Sequence, residues 1–268
     1  MHDFSYLRPK TLAEAVAAFK KSDDGRYLAG GQTVIPVMKQ RLASPSHVID
    51  LAAMPELKGI AVMDGMVMIG AMTRHAEVAA SKDVRGAIPA LARLAGGIGD
   101  PQVRNRGTIG GSIANNDPAA DYPAAVVGLN ATIHTDRRQI AAEDFFTGLF
   151  DTALQEGELI TKVAFPKPAA AAYEKFEHPA SRFALVGVFV ARAKSAVRVA
   201  VTGAGSCVFR VPEMEAALTK SFKPESVKGI AVAADGLNSD IHGSAEYRAH
   251  LVGVLAARAV ARMADKAT

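Results

Sequence analysis

The sequence predicts an α+β fold in three consecutive parts, on three observations. The first fifty residues alternate helix-like and strand-like stretches, as a small parallel α/β unit does. From about residue 56 the pattern becomes a β-hairpin with an Asp-Gly turn, followed by further strands and helices. Pro166-Lys167-Pro168 and a run of four alanines then separate a last part in which strands precede helices. The expected parts are residues 1–55, 56–166 and 167–268.

In the first part, Thr11-Leu12-Ala13-Glu14 reads as a capping box, with Thr11 as N-cap and Glu14 reaching back. Leu12, Ala15, Val16 and Phe19 then share one helical face. Asp23-Asp24-Gly25 ends that helix, and Arg26, Tyr27 and Leu28 run as a short strand into Ala29-Gly30-Gly31-Gln32-Thr33. Val37, Met38, Arg41 and Leu42 give the next helical pattern, with Pro36 in an early turn where a missing N–H costs little. His47-Val48-Ile49-Asp50-Leu51 is a further strand. The double glycine thus sits at the carboxyl end of a strand, where parallel sheets bind ligands.

In the second part, residues 60–63 and 66–69 form the hairpin, and its alternating methionines suit a buried strand pair better than a metal site. Thr73-Arg74-His75 opens a helix, and residues 88–95 form another that stops at Gly96-Gly97. A second loop, Thr108-Ile109-Gly110-Gly111-Ser112, follows. Asp121 either caps the helix over 123–129 or binds a ligand hydroxyl. Strands are expected over 131–134, 139–140 and 158–165, with a short element at Phe145-Phe146. In the last part, residues 183–190 and 197–202 read as strands, and 212–220, 226–234 and 244–264 as helices, the last amphipathic.

The two loops carry the chemistry. Paired glycines adopt positive φ and let a ligand approach the bare backbone. A helix start adds unpaired N–H groups and the positive end of its dipole. Together they make a seat for a phosphate or diphosphate. The second loop has hydroxyls on both sides, Thr108 and Ser112, which suits an extended polar ligand. Neither a dinucleotide GxGxxG turn nor a GxxxxGK[ST] loop is present.

Composition excludes several other classes. The 268 residues are 49% hydrophobic and 22% charged, which is globular rather than disordered. A formal charge of +4 is spread among 27 acidic residues with no basic block, which does not suit nucleic-acid binding. The longest apolar run, residues 183–191, is about half of a membrane span. No signal peptide is visible, so a soluble cytoplasmic protein is expected. Cys207 is the single cysteine, so this chain alone cannot hold an iron–sulfur cluster, and it is expected as a small buried residue. No metal ligand set and no general acid or base stands out; Glu143-Asp144 reads as solvated charge.

The chain resembles the FAD-binding medium subunits of the molybdenum hydroxylases, which include the flavoprotein subunits of aerobic carbon monoxide dehydrogenase and bacterial xanthine dehydrogenase. The motifs that carry the resemblance are AGGQT (29–33), TIGGS (108–112), Gly99-Asp100-Pro101-Gln102 and Asn116-Asp117-Pro118. It extends from Phe4-Ser5-Tyr6-Leu7-Arg8-Pro9 to Ala245-Glu246-Tyr247-Arg248. The resemblance implies a PCMH-type fold: two small α/β subdomains clasp FAD, and a C-terminal domain adds a three-stranded antiparallel sheet with helices.

It also implies that Ala29, Gly30, Gly31, Gln32, Thr33, Thr108, Ile109, Gly110, Gly111 and Ser112 hold the FAD diphosphate and its neighbours, largely through backbone N–H groups. Asp121 matches a family acid at the cofactor, Ile160 an apolar contact, and Phe183 the aromatic near the isoalloxazine. Thr33 stands where serine is usual and Ser112 where asparagine is usual. The implied role is electron transfer. Substrate is oxidised at a molybdenum cofactor on a large subunit, electrons pass [2Fe-2S] clusters on a small subunit, and FAD delivers them to an external acceptor. The implied assembly is a dimer of heterotrimers, most like carbon monoxide dehydrogenase. The rival readings are a self-contained flavin oxidase of the vanillyl-alcohol-oxidase type and a scaffold that has lost FAD. Gly110→Val or Gly31→Val is expected to release FAD while the fold persists.

Overall fold

The computed structural model describes residues 1–264, so the last four residues of the third expected part lie outside the described residues. The N-terminal sheet contains β1 (Ser5–Leu7), β2 (Gly25–Leu28) and β3 (His47–Asp50), in the order β1-β3-β2 and parallel throughout. Strand β1 escapes a periodicity reading because all three of its residues are exposed, so it shows no in–out alternation. In the helix Leu12–Lys20, the Thr11 hydroxyl accepts the Glu14 N–H at 3.2 Å. The Glu14 carboxylate accepts from Lys10 N–H at 2.7 Å, one residue earlier than a capping box requires. Ala15 is wholly buried in a core with Ile49, Leu51, Met54 and Leu57. The helix Val34–Lys39 is shorter than its pattern: Arg41 lies at φ 59°, outside any right-handed helix, and Leu42 is exposed.

Strands β4 (Ile60–Met63), β5 (Met66–Gly70), β6 (Thr132–Thr135) and β7 (Gln139–Ala141) belong to a second, antiparallel sheet. A separate hairpin, β8 (Phe146–Gly148) and β9 (Asp151–Thr152), precedes its central strand β10 (Ile160–Pro166), and the sheet order is β4-β5-β10-β6-β7. Asp64 and Gly65 both have positive φ, 51° and 75°, as a two-residue hairpin turn requires. The hairpin is not the buried pair its methionines suggested. Val67 and Ile69 of β5 are wholly buried, but β4 is an edge strand and Met63 is exposed. The helices Pro89–Gly96, Ile109–Asn115 and Tyr122–Gly128 cover the sheet, closing a core around Leu91, Ile109, Tyr122, Val163 and Phe165.

The third sheet is antiparallel, β11 (Ala170–Glu177), β12 (Ala184–Arg192), β13 (Val197–Thr202) and β14 (Phe209–Arg210), in that order. It has one short strand more than the three expected. Eight consecutive residues of β12 are buried, because both of its faces are covered. On one side the helix Ala245–Ala264 packs Leu251, Val252, Leu255 and Ala256 against Val186, Val188 and Val190. On the other, Phe189 joins the core of the second sheet and leaves no room for a Cβ at Gly128, which would stand 2.8 Å away. The helix expected over 226–234 is only a turn of 3-10 helix, Pro224–Val227, with Gly229 at φ 84° just beyond it. Glu143 is not a free solvated charge; it pairs with Arg198 and Arg210. Cys207 is half-buried, with the Asn116 amide 3.6 Å from its sulfur.

Candidate functional site

The two glycine loops meet. A Cβ built on Gly30 would stand 2.2 Å from the Arg106 carbonyl oxygen and 2.7 Å from the Gly107 Cα. One on Gly111 would stand 3.3 Å from the Ala29 Cβ. Only glycine at position 30 allows the backbone of one loop to rest on the backbone of the other. Gly31, at φ 74°, then turns the chain toward the helix Val34–Lys39. Between the loops lies a cleft of about 620 Å³. Its walls include Ala29, Gly30, Gly31, Gln32, Thr33, Thr108, Gly110, Gly111, Ser112, Asp121, Ile160 and, at its edge, Phe183.

Ile109 is the exception among the residues singled out from the sequence: its side chain is wholly buried in the core of the second sheet. The backbone of that loop also departs from expectation. The N–H of Ile109 donates to Thr73 O at 3.1 Å and that of Gly110 to Ala71 O at 2.8 Å. The Gly111 N–H donates to the Thr108 hydroxyl at 3.2 Å, and the Ser112 N–H to Thr108 O at 3.0 Å. Three of the four amides that a helix start leaves free, those of Ile109, Gly110 and Gly111, are therefore engaged by the chain itself, and that of Ser112 makes the first bond within the helix. The first loop is the opposite case. No backbone carbonyl among the described residues accepts the N–H of Gly30, Gly31, Gln32 or Thr33, and all four residues line the cleft. The amides left open at the cleft are thus those of residues 30–33, while Thr108 and Ser112 line it with hydroxyl side chains.

Asp121 caps nothing: its side chain makes no bond to the helix Tyr122–Gly128. Its Oδ1 instead accepts from the Tyr173 hydroxyl at 2.6 Å and lies 3.1 Å from Lys175 Nζ. Burial pushes the carboxyl up, against the opposing pull of Lys175 and Tyr173. Lys175 Nζ also donates to Gly97 O and Arg182 O at 2.8 and 2.9 Å, so one ammonium joins β11, the helix Pro89–Gly96 and the β11–β12 turn. No local pattern could have shown this clamp, since Tyr173 lies 52 residues beyond Asp121.

His75 is a second residue that the sequence gave no sign of. It lines the cleft, its N–H donates to Gly107 O at 3.0 Å, and its ring lies 5.3 Å from that of the buried Tyr122. Its Nδ1 and the Tyr122 hydroxyl are buried without a hydrogen-bond partner among the described residues. Burial, and to a lesser degree the nearby Arg104 charge, lowers the imidazole to about 4, so the ring is neutral at physiological pH. It packs beneath Gly107, where a Cβ would stand 2.5 Å from its Nε2.

Residues 2–168 match the family model described as the FAD binding domain in molybdopterin dehydrogenase. The carbon monoxide dehydrogenase medium chain of Hydrogenophaga pseudoflava is 36% identical, with 96% of each chain covered. The nicotine 6-hydroxylase medium subunit of Paenarthrobacter nicotinovorans is 37% identical, over 95% of each. Among solved structures, quinoline 2-oxidoreductase from Pseudomonas putida 86 superposes with a TM-score of 0.90 at 28% identity, covering 99% of this chain and 98% of that one.

Proposed function

The chain belongs to the family of FAD-binding domains in molybdopterin dehydrogenases, and from that membership we propose that it is the electron-transfer subunit of such a complex. Substrate is oxidised at a molybdenum cofactor on a large partner subunit. Electrons reach the cleft of this chain through [2Fe-2S] clusters on a small partner and leave to an external acceptor. The chain is an oxidoreductase subunit and its cofactor is FAD, which supplies the redox chemistry while the protein supplies placement and electrostatics.

The residues present fit that cofactor. A cleft of about 620 Å³ is of the size that holds an extended ligand. The open amides of residues 30–33 hold the diphosphate, joined by the hydroxyls of Thr33, Thr108 and Ser112. Both bonds to Asp121 fall on Oδ1, which leaves Oδ2 to accept a hydroxyl of the cofactor. Ile160 gives an apolar wall, and Phe183 stands at the edge. Residues 1–55 and 56–166 form the clasp, and 167–268 anchors it from behind through Tyr173 and Lys175. The observation that carries this reading is the seat of Gly30 on the Arg106–Gly107 backbone, which makes one cleft out of two distant loops.

The relatives are named for carbon monoxide, nicotine and quinoline, yet each matches almost the whole of this chain. That supports substrate choice on another subunit. No helix among the described residues is long and apolar enough to cross a membrane, in keeping with a cytoplasmic complex. The test is to purify the chain alone and with its partners. Bound flavin without turnover alone, and substrate-dependent acceptor reduction once partners are added, is the expected result. Turnover by the chain alone, or a folded chain that never binds flavin, would overturn the reading.

A further inference from the structure

The turn between β11 and β12, residues 178–183, ends in Phe183, which is 45% exposed and lines the edge of the cleft. The turn closes on itself through His178 N–H to Phe183 O and Arg182 N–H to His178 O, both 2.8 Å. Two ties hold it from outside. One is Lys175 Nζ to Arg182 O. The other is between imidazoles: His178 Nε2 lies 3.2 Å from Nδ1 of His242, in the loop before the helix Ala245–Ala264, with the rings nearly perpendicular at 83°.

The proton positions in this pair are determined by its neighbours. His178 Nδ1 accepts the N–H groups of Ala180 and Ser181, each at 3.2 Å, so in the neutral ring the hydrogen must sit on Nε2. That Nε2–H donates to His242 Nδ1, which must then be a bare acceptor, with the His242 hydrogen on its own Nε2. A proton added to His178 Nδ1 removes the acceptor of two turn amides. One added to His242 Nδ1 sets two N–H groups head to head. The second event cuts the tie itself; the first leaves Nε2–H donating but frees the turn that the tie holds, so either one releases the turn. Imidazoles take up that proton between about pH 5 and 8.

We propose that the His178–His242 pair positions Phe183 at the mouth of the cleft and releases it on protonation, so that access to the bound cofactor widens as pH falls. The charged groups around the pair do not substitute for it. Asp240 accepts from the His242 and Gly243 N–H groups and is paired with Arg248, which itself donates to Leu185 O and Gly203 O. Lys175 is bound to Asp121, Gly97 and Arg182. Glu177 ends β11, Arg182 lies on the turn itself, and Tyr247 packs edge-on to Phe176. His75, which also lines the cleft, is lowered by burial to about 4 and stays neutral above that.

This inference rests on the flavin reading for the role of Phe183, so the experiment has one arm that needs flavin and one that does not. Flavin content is recorded first. With FAD bound, quenching of flavin fluorescence by neutral acrylamide is followed from about pH 8 to about pH 5.5. The wild type is expected to show a quenching constant that rises about twofold or more across that range. His242→Ala should stay at the open level throughout. The double variant H178N/H242Q, which keeps a donor and acceptors but cannot titrate, should show no dependence. Imidazole nitrogen spectra, with or without flavin, should show both rings as Nε2–H tautomers at high pH. Exchange protection of the Ala180 and Ser181 amides should be lost on acidification. A flat wild-type profile, an undiminished rise in either variant, or an Nδ1–H tautomer at His178 would overturn the proposal. Absent flavin with the expected spectra would instead fault the cofactor reading and leave the imidazole tie standing.

Discussion

At Gly30 a methyl group would meet the Arg106 carbonyl oxygen at 2.2 Å, and backbone cannot step aside as a flexible side chain can. Gly30→Ala should therefore part the loops and lower FAD affinity at least about tenfold, or about 1.4 kcal/mol, with cooperative melting kept. Gly86→Ala is the control: nothing lies within 4 Å of its Cβ, so flavin content should not change. Gly110 is a different case from the one its motif suggests. Its Cβ would meet the Ala71 Cβ, O and Cα at 2.6, 2.8 and 2.9 Å, so Gly110→Val should damage folding and not flavin binding alone. His75 gives a pH prediction. Its folded value is lowered, so the unfolded chain takes the proton first, and stability present above pH 6.5 is lost as pH falls from 6.5 toward 4. The loss is on the order of 3 kcal/mol. Glu158, held at about 2 chiefly by the Arg138 guanidinium, loses its contribution only between 4.5 and 2. Urea midpoints taken between about pH 7.5 and about pH 4.5 should fall for the wild type and fall less for His75→Gln, in which His134, lowered by burial and by Lys162, still contributes.

Between elements, the Asp121–Tyr173–Lys175 clamp joins the helix Tyr122–Gly128 to β11. Lys175→Met leaves a buried carboxylate without its cation and should cost about 3–5 kcal/mol. Tyr173→Phe removes one donor and should cost about 1–3 kcal/mol. The double variant D121N/K175M should recover part of the loss, because the two groups act as a pair; chemical denaturation of the set decides it. Elements with a strong local signature were legible in sequence: the hairpin at Asp64-Gly65, the helix Pro212–Lys220 and the strand Val197–Thr202 all appear where the pattern puts them. Those that failed did so for physical reasons. Strand β11 begins among alanines that carry no alternation and follows two prolines, so it read as a boundary. Residues 226–234 looked helical by composition, but Gly229 takes a positive φ that ends any helix there. The clefted loops were legible from their glycines, whereas the engaged amides of Ile109 and Gly110 depend on Thr73 and Ala71, which no motif connects to them.

On the scale of the whole molecule, the cleft is assembled from the N-terminal sheet, the second sheet and the β11–β12 turn, so occupancy should stabilise all of them together. FAD at one hundred times its dissociation constant should add about 2.7 kcal/mol and raise the melting temperature by about 5 °C or more. A folded chain whose melting ignores FAD would contradict a shared site. The central claim is narrower: the amides of residues 30–33 hold the diphosphate, while those of 109–112 are already bonded within the chain. Amide proton shifts followed by NMR as FAD is added test it most directly. The account predicts large downfield shifts at Gly30, Gly31, Gln32 and Thr33 and little change at Ile109 and Gly110. Shifts at Ile109 and Gly110, with the first loop silent, would contradict it.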